Sequence, residues 1–431
     1  MLPERIFCIA LIAGVLQAPQ VLADAYADAH AELIAAYQAQ DYQRMRAAAH
    51  AALDARPGYP GALFNLALAQ VLAGHADKSL RIMQSLAARD VDYAIEELDE
   101  FAPLRSLSGW SDYRLRIAAL REPLGEATVA YTYDEGDFVP EGIAVGPAGE
   151  LYLGSIRHGT IVRIDGGERR ISDPGDGHWS VFGMRLDERG GLWFASAAVP
   201  EFAGTDSGDL GRTGLFYLDA DSRTVSVRAL LPGDGQPQVL GDLVIADPDT
   251  IYTTESLTGA MYRYSIAARR FTELIEPGAL RSMQGLVIDR SGRYLYVADY
   301  VGGLFRIALG DIKIERVRSP DSICLFGIDG LYRHGDELIA VQNGIRPNRV
   351  VGLTLSDDGL AVERVRVLAR NLPQFDEPSL GTVAGDDFYF VANSHWNRFE
   401  PDASLPDGLT GPIVLKVGLA PAAPPGAPAK R

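Results

Sequence analysis

Four residues of this chain pair an oxygen-donating side chain with the same local setting. Glu141 stands in the stretch Phe138-Val-Pro-Glu-Gly-Ile-Ala-Val145, directly before a glycine and at the threshold of an apolar strand. The setting recurs at Gln284-Gly and Asp329-Gly and, with leucine in place of glycine, at Asp242-Leu. Brought together, three carboxylates repel, and at least one should hold its proton near neutral pH unless a cation is bound. Three carboxylates and a carboxamide offer oxygen only, which suits one hard divalent ion: Ca²⁺ first, then Mg²⁺, with Mn²⁺ or Zn²⁺ as alternatives. The plain alternative is that these acids line a wet channel or cap strand ends. The choice rests on the elements that would gather them.

Those elements form a repeat. After Leu124 helical periods give way to short alternating strands with Gly- and Asp-rich turns. A Leu-Tyr-Leu-like strand occurs six times: Glu150–Ser155, Gly191–Ser196, Thr250–Glu255, Tyr294–Asp299, Glu337–Gln342 and Asp387–Ala392. A further strand follows each one. Six units of about 40 to 60 residues, none able to bury both faces alone, predict a six-bladed β-propeller. The segment 127–133 should supply the outer strand of the last blade and close the ring. In each unit an earlier strand runs down the channel, and its first residue sits at the mouth. That position reads Glu141, Phe182, Asp242, Gln284, Asp329 and Leu380. Glycine beside the mouth residue lets backbones approach the crowded axis.

From Asp24 to Leu124 the chain is alanine-rich with helical spacing. Two interhelix breaks, at Gln40 and Gly74, lie 34 residues apart, the period of tetratricopeptide repeats. One or two degenerate repeats or an unrelated helical hairpin both fit. Such a domain either binds a protein partner or packs on the propeller. Ahead of it, Arg5, the apolar run Ile6–Leu16 and the Val21-Leu-Ala23 end read as a secretory signal cleaved after Ala23, which suits a bacterial periplasm. The run is too short for a comfortable transmembrane span, so no integral membrane domain is expected in the mature chain. Without Cys8 the mature chain would keep one cysteine, Cys324, and no intrachain disulfide. The expected divisions are 1–23 signal peptide, 24–124 helical domain, 125–418 propeller and 419–431 disordered Pro/Ala-rich tail. A formal charge of −17 argues against nucleic acid as a partner.

The Pro140-Glu-Gly142 entrance, the Gln284–Asp299 unit and the Asp329-Gly330 entrance resemble the SMP-30/gluconolactonase/LRE (luciferin-regenerating-enzyme) propellers. The resemblance covers about residues 138 to 416. It implies a lactone hydrolase with one divalent metal in the channel mouth, held at Glu141, Gln284 and Asp329, with Asp242 near the substrate. Where the family has Asn, this chain has Gln284 and Asp242, so the metal must shift or the longer amide fold back.

Around the mouth, His158, Arg346, His395, Trp396 and Arg398 should lie on the same face, with His178 and Trp179 just before Phe182. The longest connections there, 197–212 and 395–411, are the natural place for substrate selection. On this reading Asp329 and Asp242 are the catalytic residues, and Phe182, His178, Arg346 and His395 contact a small-molecule lactone or ester. The second reading is a non-catalytic interaction protein with a structural ion. No His-Glu-x-x-His, Gly-x-Ser-x-Gly, EF-hand loop or phosphate-cradling glycine loop is present.

Overall fold

The computed structural model describes residues 25–206, 208–219, 221–233 and 235–420. The expected signal peptide, and the tail from 421 on, lie outside the described residues. Leu419, assigned to the tail from sequence, is buried, and its N–H donates to Asp386 O at 2.7 Å.

Six four-stranded antiparallel sheets form the six blades of a propeller. Five are consecutive in sequence, at 140–172, 180–230, 240–275, 283–316 and 328–370. The sixth takes its three inner strands from 381–418 and its outermost from Thr128–Thr132, which pairs antiparallel with Ile413–Gly418. The ring therefore closes through the segment the alternating pattern suggested, which leaves no gap between the first and last blades.

Each of the first five inner strands carries a register shift near its start: Pro140/Ile143, Val181/Met184, Leu240/Leu243, Met283/Leu286 and Ile328/Gly330. A bulge re-aims the side chain it carries, and Glu141, Phe182, Asp242, Gln284 and Asp329 each fall inside one of these shifts. The neighbouring glycines let the inner strands close up. A Cβ on Gly142 would sit 2.2 Å from Phe182 O of the next blade, and one on Gly285 would sit 2.3 Å from Leu331 N.

Among the described residues five α-helices precede the propeller: α1 Ala25–Gln38, α2 Tyr42–Ala55, α3 Pro60–Leu72, α4 Ala76–Ala88 and α5 Trp110–Arg121. They form two hairpins, α1/α2 and α3/α4, turning at the expected breaks, where Gln40 (φ 54°) and Gly74 (φ 83°) take left-handed backbone. α3 is buried along most of its length. Its Phe64 ring stacks on Tyr93 at 4.5 Å and meets Phe101 at 5.8 Å, both from the segment that follows α4. That face of the domain is thus covered by its own chain, and these contacts lend no support to a protein partner there.

The helical core is continuous with the propeller. Cys324, Phe326 and Ile345, from connections of the fourth and fifth blades, are buried within it. Polar links reinforce the joint: Asp92 N–H donates to Arg346 O at 2.8 Å, Arg89 Nε to Asp321 O at 2.9 Å, and Arg349 Nη1 to Asp90 at 3.3 Å. Among the described residues no helix is long and apolar enough to cross a membrane.

Candidate functional site: an acidic channel mouth

The inner strands bring the predicted mouth residues to one end of the channel, and all are buried: Glu141 (7% exposed), Phe182, Asp242 (2%), Gln284, Asp329 (7%) and Leu380. Their electrostatic surroundings divide them. Asp242 is compensated. Its Oδ2 accepts from Arg185 Nη2 at 3.0 Å, its Oδ1 accepts from Leu243 N–H at 2.8 Å, and the Arg185 guanidinium lies over the Tyr332 ring. Burial still holds its pKa above the ordinary carboxylate value, with Arg185 opposing.

Glu141 and Asp329 have no such partner; among the described residues neither enters an ion pair. Each is held by a neutral donor instead. Trp396 Nε1 donates to Glu141 Oε2 at 2.8 Å, and Asn343 Nδ2 donates to Asp329 Oδ2 at 2.7 Å. Asn343 is fixed in turn by Tyr300 OH at 3.0 Å, in a connection that abuts the helical domain. Burial, then the Asp329 charge, push Glu141 well above the carboxylate range. Asp329 is raised to about 6, first by burial, with Asn343 opposing and the Asp242 charge adding. Gln284 donates through Nε2 to Ser282 Oγ at 3.1 Å, so its carbonyl oxygen is the atom that could face an ion.

A fourth carboxylate joins them. Glu377 takes left-handed backbone (φ 61°) in the connection before the sixth blade, and its Oε2 accepts from Asn397 N–H at 2.7 Å. Burial first, then the Asp329 and Asp376 charges, raise it to about 7, while Arg346 opposes. A non-glycine residue in this region costs on the order of 1–3 kcal/mol and tends to mark functional sites. Register alignment of the blades could not reach Glu377, since it lies in a connection off the repeat. The available signal was the Asp376-Glu377-Pro378 run just ahead of the sixth mouth position.

The remaining predicted residues separate. Phe182 lies at the mouth, its ring 6.3 Å from that of Trp396. Arg346 is exposed on the rim, within electrostatic reach of Glu377. His395 is buried, with Nε2 2.9 Å from Thr410 O; its left-handed backbone (φ 61°) sets the turn that delivers Trp396 to Glu141. His178 is buried away from the ring, with Nε2 2.7 Å from Ser172 Oγ and Nδ1 3.2 Å from Trp179 O, so both nitrogens are engaged. Burial lowers its pKa.

The donor set at Glu141, Gln284 and Asp329 fits a hard cation: buried oxygens, two of them carboxylates, with the Asp329 charge raising the proton affinity of Glu141 and neither carboxylate in an ion pair among the described residues. Among the described residues, the one trio of His, Asp and Glu whose ligand atoms all lie within 4.8 Å of one another is elsewhere, at Glu135, Asp137 and His158.

A scan against models of known protein families finds no match, and a search of curated proteins finds none. Among solved structures the chain is similar to the PQQ-bound aldose sugar dehydrogenase of Streptomyces coelicolor, with 15% identity, 69% of this chain and 100% of that one covered, and a TM-score of 0.46. It is also similar to a calcium-binding protein, regucalcin, of Agrobacterium tumefaciens (16%, 68% and 94%, 0.48) and to a luciferin-regenerating enzyme (13%, 69% and 95%, 0.48). At these values the likeness carries no argument about chemistry, and one propeller fold hosts many activities.

Proposed function

We propose that the protein is an exported, metal-dependent hydrolase acting on a lactone or related ester at the channel mouth. The observation that carries this reading is the pair Glu141 and Asp329: two buried carboxylates, held by neutral donors and neither compensated by a cationic side chain. Glu141, Gln284 and Asp329 would hold the ion, Ca²⁺ before Mg²⁺, Mn²⁺ or Zn²⁺. Bound there, a divalent ion supplies a Lewis acid for a carbonyl oxygen.

The chain's own groups divide the remaining work. Asn343 occupies Asp329 Oδ2, which leaves Oδ1 to take a proton from the attacking water and return it to the leaving alkoxide oxygen as the ester C–O bond breaks. Asp242, locked by Arg185 and Leu243 N–H, is a fixed acceptor that orients substrate hydroxyls, and this binding argues against a mobile proton for it. Phe182 and the Trp396 ring form an apolar wall that limits water, and Arg346 offers a cationic rim. Asp329→Asn tests the assignment. Turnover in a lactone and ester screen should fall steeply with folding preserved, whereas undiminished turnover would overturn the assignment. A wild-type protein that hydrolyses nothing in that screen, yet binds metal, would favour the interaction-protein reading.

A further inference from the structure

On the mouth face, outward from the ring between the first and second blades, lies a crevice of about 700 Å³ whose walls include Arg157, His178, Trp179, Phe202, Gly204 and Arg228. None of the mouth residues lines it. Its volume falls in the range of small-molecule sites, about 300–1,000 Å³. The long connection 197–212 contributes Phe202, Ala203, Gly204, Asp209 and Arg212 to its lining.

Its charge runs against that of the chain. Three arginines line it in a protein of formal charge −17. One of them, Arg212, is already engaged: it pairs with Asp209 at 2.5 Å and lies over the Trp179 ring, 5.4 Å from its centroid. Arg157 and Arg228 are different, for among the described residues neither enters an ion pair. Arg157 is pinned through Nη1, which donates to Glu201 O and Ala403 O at 3.1 Å each, so its remaining N–H groups are held in place without a carboxylate. Arg228 projects from the exposed outer strand Thr224–Leu230 and lies over Gly177, where a Cβ would come within 2.7 Å of its Nη1. The acids nearest it are turned into their own loop. Asp173 accepts from Gly175 N–H at 2.8 Å, and Asp176 accepts from Ser172 OH at 2.9 Å. His178 also lines the crevice, with both ring nitrogens engaged. Exposed Leu230 and the edge of the largely buried Phe202 ring add apolar surface to the lining.

We propose that this crevice is a second ligand site, taking an organic carboxylate whose anionic end meets Arg157 and Arg228 and whose apolar body lies on Phe202 and Leu230. Guanidinium donors recognise a carboxylate by paired, charge-assisted hydrogen bonds, and Gly204, packed against the Phe202 ring, adds no side chain to that wall. The site does not depend on the hydrolase reading, because no ring residue contributes to it.

The test is titration calorimetry with 2-naphthoate and the neutral 2-naphthamide on the wild-type protein, Arg228→Gln and Glu141→Gln. Arg228 is exposed, so its replacement leaves the fold intact. The expected result is one naphthoate bound per chain, at least tenfold weaker binding by Arg228→Gln and by the amide, and unchanged affinity in Glu141→Gln. Equal binding by Arg228→Gln, equal binding of the amide, or no binding at all would overturn the proposal. Loss in Glu141→Gln alone would also overturn it, by moving the anion to the channel mouth.

Discussion

In metal-free protein, replacing Asp329 by Asn should stabilise the fold at neutral pH and leave it unchanged in acid. The folded carboxyl of Asp329 titrates at about 6, against 3.8 for the free side chain. A folded pKa above the unfolded one means that the native state binds more protons between the two values, so stability falls as pH rises through that window. Stability is therefore highest below pH 3.8 and the loss is complete above pH 6. Roughly two pH units correspond to about 3 kcal/mol at 1.36 kcal/mol per unit, and asparagine escapes that cost. Because Glu141 and Asp329 titrate together, the loss belongs to the pair rather than to one residue. The assay is urea denaturation of both proteins in chelator at steps from pH 4 to 8. The difference between variant and wild type should grow with pH to as much as about 3 kcal/mol in favour of the variant. Added Ca²⁺ should reverse the order, since a ligand that binds only the folded wild type stabilises it. A difference that stays flat with pH would refute the claim that these carboxylates face each other uncompensated.

Two further outcomes follow from the same contacts. Replacing Arg185 by Met strands the buried Asp242 carboxylate without its guanidinium, so urea denaturation at pH 7 should show a loss of about 3–5 kcal/mol. A loss under about 1 kcal/mol would mean that Asp242 is not held as described. Trp396→Phe keeps the apolar wall beside Phe182 but removes the indole N–H from Glu141. Since donors that orient a ligand contribute about 10–100-fold to metal affinity, calorimetry should show Ca²⁺ binding weakened at least tenfold with little change in stability; unchanged affinity would remove Trp396 from the site.

The blades and the mouth were legible in the sequence for one physical reason. A propeller repeats one supersecondary unit, so strands such as Thr250–Glu255, Tyr294–Asp299 and Glu337–Gln342 announce themselves by shared spacing, and their inner partners can be found by register. The helical hairpins were legible through their breaks, although the spacing could not show that α3 would be covered by Tyr93 and Phe101 or that Phe326 would complete its core. Connections carry no period. For that reason Glu377, Asn343 and the indole contact of Trp396 were out of reach, as was the salt bridge from Arg185, a second-blade residue, that occupies Asp242. His178 was misleading for a related cause: nearness in sequence to Phe182 placed it close to the mouth, but just ahead of the strand Ser180–Leu186 its imidazole is aimed at Ser172 instead.

The measurement that bears most directly on the central claim is metal content and Ca²⁺ or Mn²⁺ affinity of the purified protein beside Glu141→Gln. One equivalent of tightly held divalent metal, lost in the variant, is the result expected of a ring built from Glu141, Gln284 and Asp329. No bound metal in either protein would contradict the metal centre and the hydrolysis built on it.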